Sequence, residues 1–239
     1  MCKLTMKILG LDSSGLVAGV AIVENDVLLA EYTTDYKKTH SQTLLPMLEE
    51  LRNMIELDMN TIDAVAVASG PGSFTGLRIG SATAKGLGFA LDKPIVEVPT
   101  LEGLAWNLWG TDRLVCPLMD ARRNQVYAAA YEFRAHGESF QLLTVIRQMP
   151  IDIIEFIEKL NELGREVIFL GDGLPVYLPV IREHIQIPFR MAPPGCNRQR
   201  AANVAALGAV YYAQGKKVEA AMHQPEYLRK SQAEQESGR

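Results

Sequence analysis

One succession of segments, strand, strand, strand, helix, strand, helix, occurs twice along the 239 residues, and it limits the choice of fold more than any single motif. In the first half, Lys7 to Leu11 and Val17 to Val23 are apolar strands joined by a DSSG turn. Val27 to Thr33 is a third strand, reached through an Asn25-Asp26 turn of hairpin type. Ser41 to Glu56 then repeats its apolar residues at helical spacing, with Leu44, Leu48, Leu51 and Ile55 on one face and Pro46 close to the start. A short buried strand, Ala64 to Ala68, leads into a glycine-rich segment that runs as a helix to Leu91. PIVEVP and a short helix around Leu101 to Leu108 close the half. The second half predicts strands at Leu114 to Met119, Gln125 to Phe133 and Leu142 to Arg147, a helix at Ile151 to Leu163, a strand at Val167 to Leu170, and further helices beyond.

The halves share almost no identity, but each first strand runs into an aspartate, Asp12 or Asp120. Two meanders each followed by helix, strand and helix predict an α/β protein of two tandem ribonuclease-H-like lobes, the actin-like ATPase (ASKHA) fold of actin, chaperone ATPases and sugar kinases. The division expected from the sequence is residues 6–110 and 111–230, with 231–239 a disordered tail because SQAEQESGR holds no large apolar residue. In such a plan the two aspartates face a nucleotide cleft, though strand-end aspartates also serve simply as turn formers. With 48% hydrophobic and 22% charged residues, the chain can fill the cores of two lobes of about 110 residues each. A net charge of −4 gives no broad basic field, so tight unaided binding to nucleic acid is not expected. No run reaches the length of a membrane span, and Cys2, Cys116 and Cys196 form no CxxC pair, which fits a reducing cytoplasm.

SGPGSFTGLRIGSATAKGLG, Ser69 to Gly88, places six glycines in twenty residues. No register supplies the GxxxxGK[ST] of a Walker loop. Gly70, Gly72 and Gly76 form a variant dinucleotide fingerprint, but the acidic residue on the next strand, Glu97, follows Gly72 by twenty-five residues where the fingerprint has about twenty. Gly76, Gly80, Ala84 and Gly88 instead recur every four residues as a stripe along one helix side. Ile79, Ala82, Thr83, Gly86 and Ala90 are then expected to face the sheet. The bare stripe reads as a surface for close approach of a helix, either from a partner or within the chain. Ser73 or Thr75 suits the helix N-cap.

His40, His136, His184 and His223 show neither HxxxH nor HExxH spacing, so no helix-borne metal site is supported. His40 could meet a ligand or simply flank a helix start. Arg122 and Arg123, in the turn after Asp120, are available to an anion or stand as solvated turn charges. Gly171-Asp172-Gly173 follows a strand where actin-like folds carry their adenosine loop, although GDG is also a common turn.

MKILGLDSS, THSQTLLPML, VASGPGSFTGLRIGSATAKGL, MDARRNQVYAAAYE, GDG and PEYLRK together resemble the TsaB (YeaZ) family, over nearly the whole chain from Met6 to Lys230. The resemblance implies a non-catalytic, cytoplasmic subunit required with TsaD and TsaE for threonylcarbamoyl transfer to adenosine 37 of tRNAs reading codons that begin with A. It implies that ATP and metal are held by the partners, with no cofactor bound stably by this chain. It also implies that tRNA is met only through the complex, and that the first two helices of the N-terminal lobe pair with TsaD or, in isolation, with a second copy. Carried onto this sequence, the interface is Leu45, Met47, Leu48, Gly76, Gly80, Ala84 and Gly88, and a vestigial nucleotide cleft would comprise Asp12, Ser13, Gly72, Asp120, Gly171 and Gly173. The competing classes are an active kinase or ATPase of the same fold and a metallopeptidase.

Overall fold

The structure, a computed structural model, describes residues 6–35 and 40–229. The expected disordered tail lies outside them. The described residues divide into two compact units, each considered by itself: those from 6 to Gly103 with Gln199–Glu226, and Leu104–Arg198 with 227–229. This corrects the division at 110/111, because the last helix returns to the first unit.

In that unit, β1 (Lys7–Asp12), β2 (Ala18–Glu24) and β3 (Val27–Thr34) form an antiparallel meander. Then follow α1 (His40–Met54), β4 (Ala64–Gly70), α2 (Phe74–Leu91), β5 (Ile95–Pro99) and α3 (Thr100–Ala105). β4 pairs parallel to β1 and β5 parallel to β4, giving the order β3-β2-β1-β4-β5. Both sheet faces are covered, which is why β1 and β4 read as continuous apolar runs rather than alternating ones. Leu9 and Leu11 pack with Leu44, Leu48 and Leu51 of α1 and Ala84 of α2. Ile8 and Gly10, one residue out of phase, meet the final helix on the opposite face. α1 continues unbroken through Pro46, which lies on its exposed side and removes one N–H from the helix ladder.

In the second unit, β6 (Leu114–Asp120), β7 (Gln125–His136) and β8 (Ser139–Asp152) repeat the meander. They are followed by α4 (Ile153–Leu163), β9 (Val167–Leu170), α5 (Gly173–His184) and β10 (Phe189–Met191). The order β10-β9-β6-β7-β8 is that of the first sheet, so the chain holds two ribonuclease-H-like lobes as the repeat predicts. β8 is longer than Leu142 to Arg147 because its pairing with β7 continues to Asp152, whose carboxylate then caps α4 through Ile154 N–H at 2.8 Å.

α6 (Ala201–Ala213) lies against the α1-free face of the first sheet. A side chain at Gly10 would stand 2.4 Å from the Ala201 carbonyl, and one at Gly208 would stand 2.5 Å from the Ala66 methyl. Backbones approach this closely only where small residues meet, and AANVAALGA supplies them. Glu31 of β3 holds the helix start: its Oε1 accepts from Ala202 N–H at 3.1 Å and its Oε2 from Arg200 Nε–H at 3.0 Å.

Candidate functional site

α2 begins where Ser73 Oγ accepts from Gly76 N–H, one of the two expected caps. Its glycine stripe points inward. A Cβ at Gly76 would stand 2.1 Å from the Ser13 carbonyl, one at Gly80 2.5 Å from Ser13 Oγ, and one at Gly88 2.9 Å from the Ala220 methyl. Ala84 is fully buried, and Met47 and Leu48 of α1 are each only 5% exposed. These six residues therefore form core packing within the first unit and cannot meet a partner, contrary to the expected interface. The helix is turned about its axis relative to that reading, because the β1–α2 approach needs bare backbone. Ala82, Gly86 and Ala90, expected against the sheet, are exposed, and Ile79 and Thr83 are half-buried. Of the predicted interface only Leu45 stays outward, 53% exposed, with Met54 at 75% and Phe89 at 64% on the same two adjacent helices.

The end of β1 is closed on itself. Asp12 is buried, and its Oδ1 accepts from both the N–H (2.9 Å) and the hydroxyl (2.7 Å) of Ser14. Burial pushes its carboxyl up to about 6, with the two Ser14 hydrogen bonds and the charge of His40 opposing the rise. Ser13 Oγ donates to the Gly76 carbonyl at 2.9 Å, and Ser73 N–H donates to the Ser14 carbonyl at 2.7 Å. Gly72 lies over the same carbonyl, leaving 2.3 Å for a Cβ. His40 Nε2 approaches the Gly15 carbonyl at 2.9 Å. The structure thus brings Asp12, Ser13 and Gly72 together, with Asp12 Oδ1 and the Ser13 hydroxyl engaged in local hydrogen bonds.

In the second unit Asp120 Oδ1 accepts from Arg122 N–H (2.8 Å) and the Tyr177 hydroxyl (3.0 Å). Tyr177 is pushed up to about 12, first by burial and then by this carboxylate. Gly171 and Gly173 lie beside β6: a Cβ at Gly171 would meet the Leu118 carbonyl at 2.1 Å, and one at Gly173 the Asp120 nitrogen at 3.2 Å. The GDG turn is therefore required by close packing on the strand that carries Asp120. Burial raises the Asp172 carboxyl, although the Asp120 N–H and the charge of Arg198 oppose it.

Other polar groups lie outside the predicted sites. A groove of about 470 Å³ in the first unit is lined by Glu97, Glu102, Tyr211, Lys216 and Lys217. The Tyr211 hydroxyl donates to Glu102, whose carboxyl burial raises, and Lys216 sits 4.5 Å over the Tyr211 ring. His223, buried, contacts Glu97 through Nδ1 at 2.7 Å and holds that carboxyl below its ordinary range. The Tyr211–Glu102 and His223–Glu97 pairs join residues more than a hundred positions apart, so no local spacing announces them. Among the described residues no three His, Cys, Asp or Glu side chains are grouped as a metal-ligand set, and no helix is long and apolar enough to cross a membrane.

Two lobes of this topology, each first strand ending in an aspartate, define a member of the actin-like ATPase fold class. The family described as "TsaD: tRNA N6-adenosine threonylcarbamoyltransferase" matches residues 27–237. The chain is 34% identical over 232 residues to the tRNA threonylcarbamoyladenosine biosynthesis protein TsaB of Bacillus subtilis, covering 96% of each. It is 30% identical to the Escherichia coli TsaB, over 70% of this chain and 72% of that one. The solved YeaZ from Pseudomonas aeruginosa superposes with a TM-score of 0.74 at 26% identity, over 93% of this chain and all of that one. The chain belongs to this family, in its TsaB (YeaZ) group.

Proposed function

We propose that the chain takes part in tRNA threonylcarbamoyladenosine biosynthesis as a non-catalytic subunit. In this reading it acts in the cytoplasm with TsaD and TsaE, which hold the metal and ATP, and tRNA reaches it through the complex. The transfer is to adenosine 37 of tRNAs reading codons that begin with A. The relatives' names support the pathway. The observation that supports the subunit role is the apolar outward surface of α1 and α2: Leu45, Met54, Phe89 and the small residues Ala82, Gly86 and Ala90. Exposed apolar surface collected on two adjacent helices marks a protein contact. Small residues along α2 let a facing helix approach closely. TsaD is the proposed occupant in the complex, and a second copy when the chain is alone.

The test is co-purification with TsaD of the same organism. Gly86→Arg adds a side chain where nothing lies within 4 Å, so folding is expected to be unaffected while pairing is lost. A variant that folds and still co-elutes with TsaD would overturn the docking face. Magnesium-dependent ATP turnover by the pure chain would overturn the non-catalytic role in favour of a kinase or ATPase. Stoichiometric metal with chelator-sensitive cleavage would instead favour a peptidase.

A further inference from the structure

The turn between β6 and β7 carries three successive non-glycine residues in the left-handed region: Arg122 at φ 62°, Arg123 at 56° and Asn124 at 60°. Asparagine tolerates this conformation, but arginine does so at a cost in strain, and turns of this kind ordinarily take Gly, Asn or Asp. The conformation is imposed from several sides. Gln125 N–H donates to the Arg122 carbonyl (3.1 Å), Ala121 N–H to the Gln125 carbonyl (3.0 Å) and Ile153 N–H to the Asn124 carbonyl (3.2 Å). Arg229 Nη1 donates to the Ala121 carbonyl at 2.7 Å, which brings a third guanidinium to the turn. Asp120, at the end of β6, is engaged through Oδ1 by the Arg122 backbone and the Tyr177 hydroxyl, and Asp152 pairs opposite Gln125 at the other end of the turn. The Arg122 and Arg123 side chains are exposed, and among the described residues neither makes a hydrogen bond or ion pair. A rigid turn thus holds two adjacent arginines outward at positions where its own backbone would favour glycine.

We propose that this turn binds phosphodiester groups of the RNA substrate, an inference that rests on the function proposed above. Guanidinium groups match phosphate oxygens in a fixed fork geometry. Residues 122–124 are all exposed, whereas a small ligand needs a concave site that buries most of its surface; a polymer can lay successive phosphates across a projecting turn. With a net charge of −4 the chain offers little further attraction to RNA, so the contact adds to binding by an assembled complex and does not create it alone.

The experiment measures tRNA affinity of the assembled complex against salt, by fluorescence anisotropy with a labelled transcript. R122G/R123G removes both guanidiniums and relieves the backbone, so it should fold, with a thermal midpoint no lower than the parent. The slope of log K against log salt should shrink by about 1.4 to 1.8, the loss of two phosphate contacts, and affinity near 0.15 M salt should fall about tenfold. R122K/R123K, which keeps the charges, should recover most of the slope. An unchanged slope in R122G/R123G, with TsaD pairing intact, refutes the phosphate assignment and leaves the subunit role standing. Loss of TsaD pairing in that variant makes the turn a protein contact and also refutes it. If inorganic tripolyphosphate, but not RNA, perturbs the Arg122 and Arg123 amide signals, the ligand is a nucleotide and the RNA assignment fails. If the parent chain forms no tRNA-binding complex, both readings fall together.

Discussion

Two glycines six residues apart on α2 should respond oppositely to the same methyl group. An interior helical glycine costs about 1 kcal/mol relative to alanine, so alanine is favoured wherever space allows. At Gly86 the added Cβ meets nothing within 4 Å. Gly86→Ala should therefore stabilise the protein by about 1 kcal/mol, a rise of about 2–4 °C in Tm for a chain of this size. At Gly80 the Cβ would stand 2.5 Å from Ser13 Oγ, whose hydroxyl donates to the Gly76 carbonyl at 2.9 Å. α2 is pushed off β1 and that bond breaks. Overpacking costs about 1–3 kcal/mol and the lost hydrogen bond about 1 more, against about 1 recovered in helix propensity, so Gly80→Ala should lose about 1–3 kcal/mol. Scanning calorimetry of the two purified variants, at concentrations where the parent is monomeric, reads a separation of about 2–4 kcal/mol. A stabilised Gly80→Ala or a destabilised Gly86→Ala would show that the helix is rotated from the orientation described, and would restore the bare stripe as an outer surface.

Asp12→Asn should stabilise the protein in a pH-dependent way. The folded carboxyl titrates near 6 and the unfolded one near 3.8, so its stabilising contribution is complete below 3.8 and is lost as pH rises through 6. Removing the charge should gain up to about 3 kcal/mol at pH 8 and almost nothing near pH 3.5, as read from urea midpoints; a gap that does not vary with pH would contradict the assignment. Glu31→Ala removes the cap on α6 and the Arg200 contact, and should cost about 1–3 kcal/mol with an unchanged denaturant slope, whereas Glu31→Gln, still an acceptor, should lose less. Gly70→Ala sets a Cβ 2.2 Å from the Glu226 carbonyl at a φ of 131°, where residues 69 and 226 are joined by a 2.7 Å hydrogen bond. It should free the segment after Val218, so that trypsin cuts at Lys217 faster than in the parent; equal rates would show that this contact does not hold the segment.

Periodicity and turn residues place nine strands in order, because even the short runs such as VIFL of β9 are apolar and set off by nearby turn residues. β10 escaped, being three residues long with only Phe189 partly buried. The return of α6 to the first unit also escaped, since AANVAALGAVYYA is apolar nearly all round and no stripe shows which sheet it covers. Its address is set by Glu31 and by Gly10, two positions remote in sequence. The same limit explains the inverted reading of α2. A stripe of small residues reports that something approaches closely, but the sequence does not say whether the neighbour is a partner's helix or the chain's own backbone. Here the neighbour is the Ser13–Ser14 turn, and that turn also supplies both hydrogen bonds to Asp12 Oδ1. One turn therefore takes the glycine stripe from the surface and hydrogen-bonds one oxygen of the strand-end aspartate. What remains outward on α1 and α2 is Leu45, Met54, Phe89 and the residues around Gly86. A docking surface there must be tested by adding bulk at Gly86, since bulk at Gly80 would abolish pairing by displacing α2 from β1 whatever the surface does.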